Sequence, residues 1–364
     1  MSISGTNMTD LNSTLRDVAS TEGLHFFGAA SLDVREDFQR FSEWLRESRH
    51  GSMAWMTNHL EIRANPALLL PGAKSVLVFG FSYSLGDHWL RGETLSPPKI
   101  AQYARLADYH KFLRAKLSRV QKSLSNTLGT EHQWRITVDS APLLERSLAA
   151  NSGGGFIGKN TCVIHPKMGS FFLLGEILTT WSTPLAATDT SPSRHRPREE
   201  SGGCGTCKRC QVHCPTGALD EDYRIDARKC LSYWTIEHRG EIPLEYWPWI
   251  GRYVFGCDIC QLVCPYNRGL APSEEARRLE RLKETPDLIA MIGMDEAFYE
   301  RTFGGTPLTR AKRSGLRRNA LIAATVNDDM RVPPLLKILE HDDDPIIKLT
   351  ASSAKRYLEQ KKKN

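Results

Sequence analysis

Two rhythms of apolar residues divide the first half of this chain. From Ser75 to Phe81 the residues Ser-Val-Leu-Val-Phe-Gly-Phe form a continuous apolar run entered through Pro71-Gly72, which predicts a strand buried on both faces. Leu24 to Ala30, Trp134 to Val138 and Phe171 to Thr179 predict further strands. Between them helical spacing governs residues 11–22, 35–49 (Phe38, Phe41, Trp44, Leu45) and 108–128, and another helix opens near Pro142. This alternation predicts an α/β or α+β first domain over residues 1–182. Beyond Tyr266 the pattern turns helical, at 273–285, 295–302, 312–326, 331–341 and 345–360. From Gly315 to Leu358 short helices and gaps follow the rhythm of HEAT-type repeats. One or two such units cannot stand alone, so they must pack on the rest of the chain. Residues 183–203, rich in Pro, Ser, Thr and charge, read as a linker or surface excursion.

Cysteine spacing gives the middle of the chain its chemistry. Cys204-x2-Cys207-x2-Cys210-x3-Cys214-Pro215 is the bacterial ferredoxin run, in which the fourth cysteine ligates the other cluster. Cys257-x2-Cys260-x3-Cys264-Pro265 is a shortened copy. The crossing rule assigns Cys204, Cys207, Cys210 and Cys264 to one 4Fe–4S cluster. It gives Cys214, Cys257 and Cys260 to a second, for which Cys230 is the nearby fourth ligand. Zinc also uses C-x2-C pairs, but it requires neither the two Cys-Pro endings nor the crossover. A ferredoxin-like two-cluster domain over 204–270 is therefore expected. The ninth cysteine, Cys162, reads as a small buried hydrophobe.

The remaining composition is that of an ordinary soluble protein, with 40% hydrophobic and 25% charged residues and a net charge of +6. No apolar run approaches the roughly 18 residues that span a bilayer, and no export signal is visible, so a cytoplasmic location is expected. Gly153, Gly154, Gly155 and Gly158 match no nucleotide loop. Asp139 ends a strand, where α/β sheets border ligand crevices; spacing alone leaves it equally a helix N-cap. Arg310, Lys312, Arg313, Arg317 and Arg318 cluster at one helix start and Lys361 to Lys363 form a basic tail, which reads as a phosphate-binding or merely solvated face. Trp247, Trp249 and Tyr246 suit either base stacking or a core.

Tyr103-Ala-Arg105, Asp108-Tyr-His-Lys111, Val138-Asp-Ser-Ala-Pro142 with Glu145-Arg146, Gly158-Lys-Asn-Thr161, Gly169-Ser170, Leu174-Gly-Glu176 and Cys230-Leu-Ser-Tyr-Trp-Thr-Ile-Glu237 follow one another along the chain. In that order, and around two ferredoxin runs, they resemble the epoxyqueuosine reductases. The resemblance implies a nitroreductase-related domain binding cobalamin base-off, without a D-x-H-x-x-G motif, which is absent here. It implies reduction of epoxyqueuosine to queuosine at the wobble position of a tRNA with a GUN anticodon. A Co(I) nucleophile fed by the clusters would carry the reduction, with Asp139 as proton donor if burial raises its pKa. Arg63, Gln102, Tyr103, Tyr109, His110, Asn160, Thr161 and Ser170 would line the corrinoid. The segment Ala104-Arg105-Leu106-Ala107 departs from the glycine-containing turn of many relatives. A monomer served by an external one-electron donor such as a flavodoxin or ferredoxin is implied. A reductive dehalogenase shares the cofactors but usually carries an export signal. An electron-carrier ferredoxin leaves most of the chain unused, and a cobalamin-trafficking protein needs no cluster ligands.

Overall fold

The structure, a computed structural model, describes residues 8–86, 99–183, 186–187 and 203–363. Five strands form one sheet in the order Trp134–Thr137, Phe172–Thr179, Ser75–Ser82, His25–Ala30, Ala186–Ala187. Ser75–Ser82 and Phe172–Thr179 pair antiparallel in unbroken register, from Ser75 opposite Thr179 to Ser82 opposite Phe172. The edge strand Ala186–Ala187 joins His25–Ala30 in parallel. The sheet is mixed and largely antiparallel, hence α+β.

Both faces of the sheet are covered, which explains the unbroken apolar run. Leu77, Phe79 and Phe81 face helices Met8–Thr21 and Tyr109–Leu128, meeting Leu15, Leu113, Leu117 and Val120. Val76 and Val78 face the helix Glu145–Asn151, meeting Leu148 and Ala149. The helix Tyr109–Leu128 buries Leu113, Leu117, Val120 and Leu124, three or four residues apart, and Asp108 caps it by accepting from the His110 N–H. Truncating Leu117 to Ala there would cost about 2–5 kcal/mol. The glycine triplet serves packing. Gly155 has φ +136°, and a Cβ on it would lie 2.2 Å from the Ile164 carbonyl oxygen, so only glycine lets the hairpin Phe156–Ile164 close.

The C-terminal helices share a core with the cysteine-bearing region. Lys312–Val326 is buried from Gly315 to Thr325 and packs in one apolar cluster with Trp247, Val254, Phe255 and the helix Val332–Leu339. Trp247 therefore belongs to the core.

Three expectations change. The helix expected at 273–285 ends at Leu279, because the N–H groups of Arg281 and Leu282 donate to the Arg105 carbonyl and Leu106 bridges Glu280. A helix Leu288–Ile292, too short for periodicity to reveal, was not foreseen. Of the linker expected at 183–203, Ala186–Ala187 form the sheet edge, and most of the remainder lies outside the described residues. No described helix is long and apolar enough to cross a membrane.

Candidate active site and cluster sites

The seven cysteines of the two runs, together with Cys230, separate into two sets. Cys204, Cys207, Cys210 and Cys264 line a cavity of about 260 Å³ together with Lys159, Ile164 and Tyr266. Cys214, Cys230, Cys257 and Cys260 line a second, of about 490 Å³. Cys230 lies beside Cys214, Cys257 and Cys260, the three that the crossing rule leaves without a fourth ligand. Backbone N–H groups point at the sulfurs, Lys159 to Cys204 Sγ at 3.3 Å and Ala218 to Cys214 Sγ at 3.3 Å. Burial, then the neighbouring thiols, push Cys210 up to about 12 and Cys264 up to about 11. Such crowded thiols require a cationic core to become thiolates together. No three His, Cys, Asp or Glu side chains among the described residues converge on one ion-sized point. A wall of four thiols around a cavity suits a cubane better than a single zinc ion.

Cys162 corrects an expectation. It is half-buried and lines the second cavity, where the neighbouring Cys260 thiol lowers its pKa. Asn160 brings it there, donating from Nδ2 to the Cys260 carbonyl at 3.3 Å and accepting the Cys162 N–H at 3.2 Å.

The same 490 Å³ cavity reaches Asp139. This residue leaves the strand Trp134–Thr137 in a left-handed conformation, φ +49°, uncommon for any residue but glycine and most tolerated by Asn and Asp. It is no helix N-cap, since Leu144 holds that position before Glu145–Asn151; its N–H donates to Glu145 Oε1 at 2.8 Å, so the first turn of that helix caps the turn that aims it. Its carboxylate accepts from the Tyr109 hydroxyl and lies 3.7 Å from His110 Nε2, while His110 Nδ1 meets Asp108 at 2.8 Å. Asp139, then Asp108, raise His110 above its ordinary value against the opposing effect of burial. Burial first, then Asp139, push the Tyr109 phenol far up. Burial first, then Glu176 and Asp139, raise Glu145, and burial pushes Glu176 up to about 8. Glu176 sits opposite Thr137 in the sheet and accepts its hydroxyl at 2.9 Å. Burial, the condition set for Asp139 as a donor, is not met by the protein alone: its side chain is 56% exposed.

A family model described as epoxyqueuosine reductase QueG, DUF1730, matches residues 63–140, and one described as a 4Fe-4S double cluster binding domain matches residues 203–267. An epoxyqueuosine reductase of Xanthomonas campestris is 36% identical over 347 residues, 93% of this chain and 94% of its own length. This chain belongs to the epoxyqueuosine reductases. It is an oxidoreductase with a double 4Fe–4S cluster domain. The Bacillus subtilis epoxyqueuosine reductase, solved with an aspartate-bearing catalytic loop swung out of its active site, matches with a TM-score of 0.81 and 26% identity. The match covers 96% of this chain and 90% of that one. Another epoxyqueuosine reductase, solved with an epoxyqueuosine-modified stem loop of tyrosine tRNA, matches with a TM-score of 0.80, 26% identity and the same coverage.

Among the corrinoid-lining candidates, Tyr103, Tyr109, Asn160 and Thr161 line the cavity shared by the second cysteine set and Asp139. Arg63 lines an adjoining cavity of about 650 Å³ that shares Asp139, Glu145 and Thr161. It is 7% exposed, its Nε has no hydrogen-bond partner and its guanidinium lies over Phe41. Three candidates line neither cavity: His110, which reaches only the Asp139 carboxylate, and Gln102 and Ser170. Gln102 faces a separate cavity beside Cys264, accepting the Leu85 N–H at 2.8 Å through its side chain and donating its own N–H to Asp258. Ser170 is held by Gln261 and Asn267. Both tie strand ends to the second cysteine run and wall neither cavity at Asp139.

The basic cluster splits. Arg318 is fully buried and donates to the carbonyls of Trp234, His238 and Gly240, each at 2.8 Å, while burial pushes its pKa down to about 9. Arg317 is buried against Asp342 and the Ile292 carbonyl. Neither reaches a phosphate; the apolar face of helix Lys312–Val326 carries them inward. Lys312 and Arg310 are exposed and Arg313 is partly so, Arg310 pairing with Glu237 and Arg313 with Glu296. Lys361 pairs with Asp328. Glu176 was foreseen only as part of a motif, although a lone carboxylate in an apolar strand is a legible signal. Trp55, exposed at the 650 Å³ cavity, carried none.

Proposed function

We propose that this chain reduces epoxyqueuosine to queuosine at the wobble position of tRNA, using cobalamin and two 4Fe–4S clusters, with Asp139 as the proton donor. The observation that carries the reading is one enclosure lined by both Cys214, Cys230, Cys257, Cys260 and Asp139. Opening an epoxide to an alkene and water consumes two electrons and two protons. Cobalamin, when bound, supplies a low-valent nucleophilic metal that the clusters can reduce one electron at a time. The chain's residues do the rest. Tyr103, Asn160 and Thr161 wall the corrinoid, and Arg63, with its unpartnered Nε, offers a donor to a polar or anionic group from the adjoining cavity. Tyr109 and His110 hold the Asp139 carboxylate at the mouth, where substrate and corrinoid together would bury it. His110, raised by two carboxylates, stores the proton that reloads Asp139.

The wobble base must leave its stack to enter this enclosure. Of the basic cluster at the start of Lys312–Val326, Arg310, Lys312 and Arg313 reach the surface, where phosphates would meet them. The same reading takes residues 1–182 as the nitroreductase-related catalytic domain, 204–270 as the cluster domain and 271–364 as HEAT-like helices. It makes the protein a cytoplasmic monomer reduced by a flavodoxin or ferredoxin. Asp139→Asn tests it: turnover should fall at least 10²-fold with cobalamin spectra and iron content intact. Near-normal turnover removes Asp139 from the mechanism.

A further inference from the structure

Trp55 sits in the four-residue turn Ala54–Thr57 and is 44% exposed, one of the few large apolar side chains left on the surface among the described residues. It lines the same 650 Å³ cavity as Asp139. One face of its indole is already taken: the Arg310 guanidinium lies over the ring, 5.3 Å from its centroid. Arg310 is itself fixed. Its Nε and Nη2 each meet a Glu237 carboxylate oxygen at 2.9 Å, and Arg239 grips its carbonyl at 2.7 Å. Arg310 also lies within electrostatic reach of Asp139 and Tyr109. A flat π-surface, stiffened from behind by a pinned cation and lining the same cavity as the reacting carboxylate, is the chemistry of a nucleobase platform.

We infer that Trp55, backed by Arg310 and Glu237, stacks the unpaired base next to the base delivered to Asp139. The inference rests on the tRNA reading above. A nucleotide pulled into the enclosure leaves its neighbours unstacked, and an aromatic face at the mouth recovers part of that loss without reading sequence. The phosphate between the two nucleotides then lies near Arg310.

The test uses the full chain with clusters reconstituted and an epoxyqueuosine-bearing anticodon stem loop. 2-Aminopurine replaces the base on either side of the wobble position in turn. The wild type should quench one of the two probes on binding. Trp55→Ala should lose that quenching and bind roughly 5- to 150-fold more weakly. Trp55→Phe should restore most of both, and Trp55→Leu neither. Iron content and melting temperature monitor folding of each variant. Equal affinity and equal quenching in wild type and Trp55→Ala overturn the platform while leaving the tRNA reading intact. Failure of the wild type to bind the stem loop overturns both.

Discussion

Arg318 offers the sharpest separation of structure from binding on this chain. Arg318→Met keeps length and apolar stem but withdraws the donors from three carbonyls, those of Trp234, His238 and Gly240. Each buried acceptor left unpaired costs about 1–3 kcal/mol, offset in part by no longer desolvating a guanidinium, for a net loss of about 3–5 kcal/mol. At about 2.1 cal/mol/K per residue, unfolding 364 residues carries an entropy near 0.8 kcal/mol/K, so the melting temperature should fall about 4–6 °C. Arg318→Lys should be intermediate, because a compact ammonium cannot span all three carbonyls. Circular dichroism melts read the loss, and stem-loop affinity against salt reads the binding role. The salt slope should stay at the wild-type value for Arg318→Met. It should drop by about 1 for Lys312→Gln, whose melting temperature should not move. A variant of Arg318 that melts normally yet loses salt-dependent affinity would refute the assignment of this arginine to the core.

Other outcomes follow from the site. Cys230→Ser should lose about half of the bound iron on reconstitution and keep the other cluster's spectrum, whereas Cys162→Ser should bind the full complement; iron and sulfide assays decide. His110 lies above its ordinary value, so it keeps its proton to higher pH than a free imidazole and loses it as pH rises through that raised value. Turnover should fall along this alkaline limb, and His110→Gln should abolish the limb in a pH–rate profile. Glu176, pushed up to about 8 from 4.5, stabilises the fold fully below pH 4.5 and ceases to do so as pH rises through about 8. Melting temperature should decline over that window in the wild type and decline less in Glu176→Gln.

The sheet was legible because its central strand is apolar without interruption, and because Leu113, Leu117, Val120 and Leu124 repeat at helical spacing. The cysteine partition was legible because a thiol spacing constrains which cavity each sulfur can wall. What the sequence hid were properties of tertiary contact. Arg317 and Arg318 look like surface charge until the helix around them is seen to be buried along its length. Ser170 falls within a motif and Gln102 directly before one, yet their partners come from a segment some 90 to 160 residues later, at Asp258, Gln261 and Asn267. Asp139 was legible as a strand-end residue; its left-handed backbone and its three partners Tyr109, His110 and Glu145 were not.

The most direct measurement is anaerobic turnover of tRNA bearing epoxyqueuosine by the cluster-reconstituted protein with a strong reductant, with and without cobalamin, nucleosides being read by mass spectrometry. The account predicts queuosine only when cobalamin is present. Queuosine formed equally without it, or no conversion by protein whose iron and sulfide content confirms both clusters, would contradict the account.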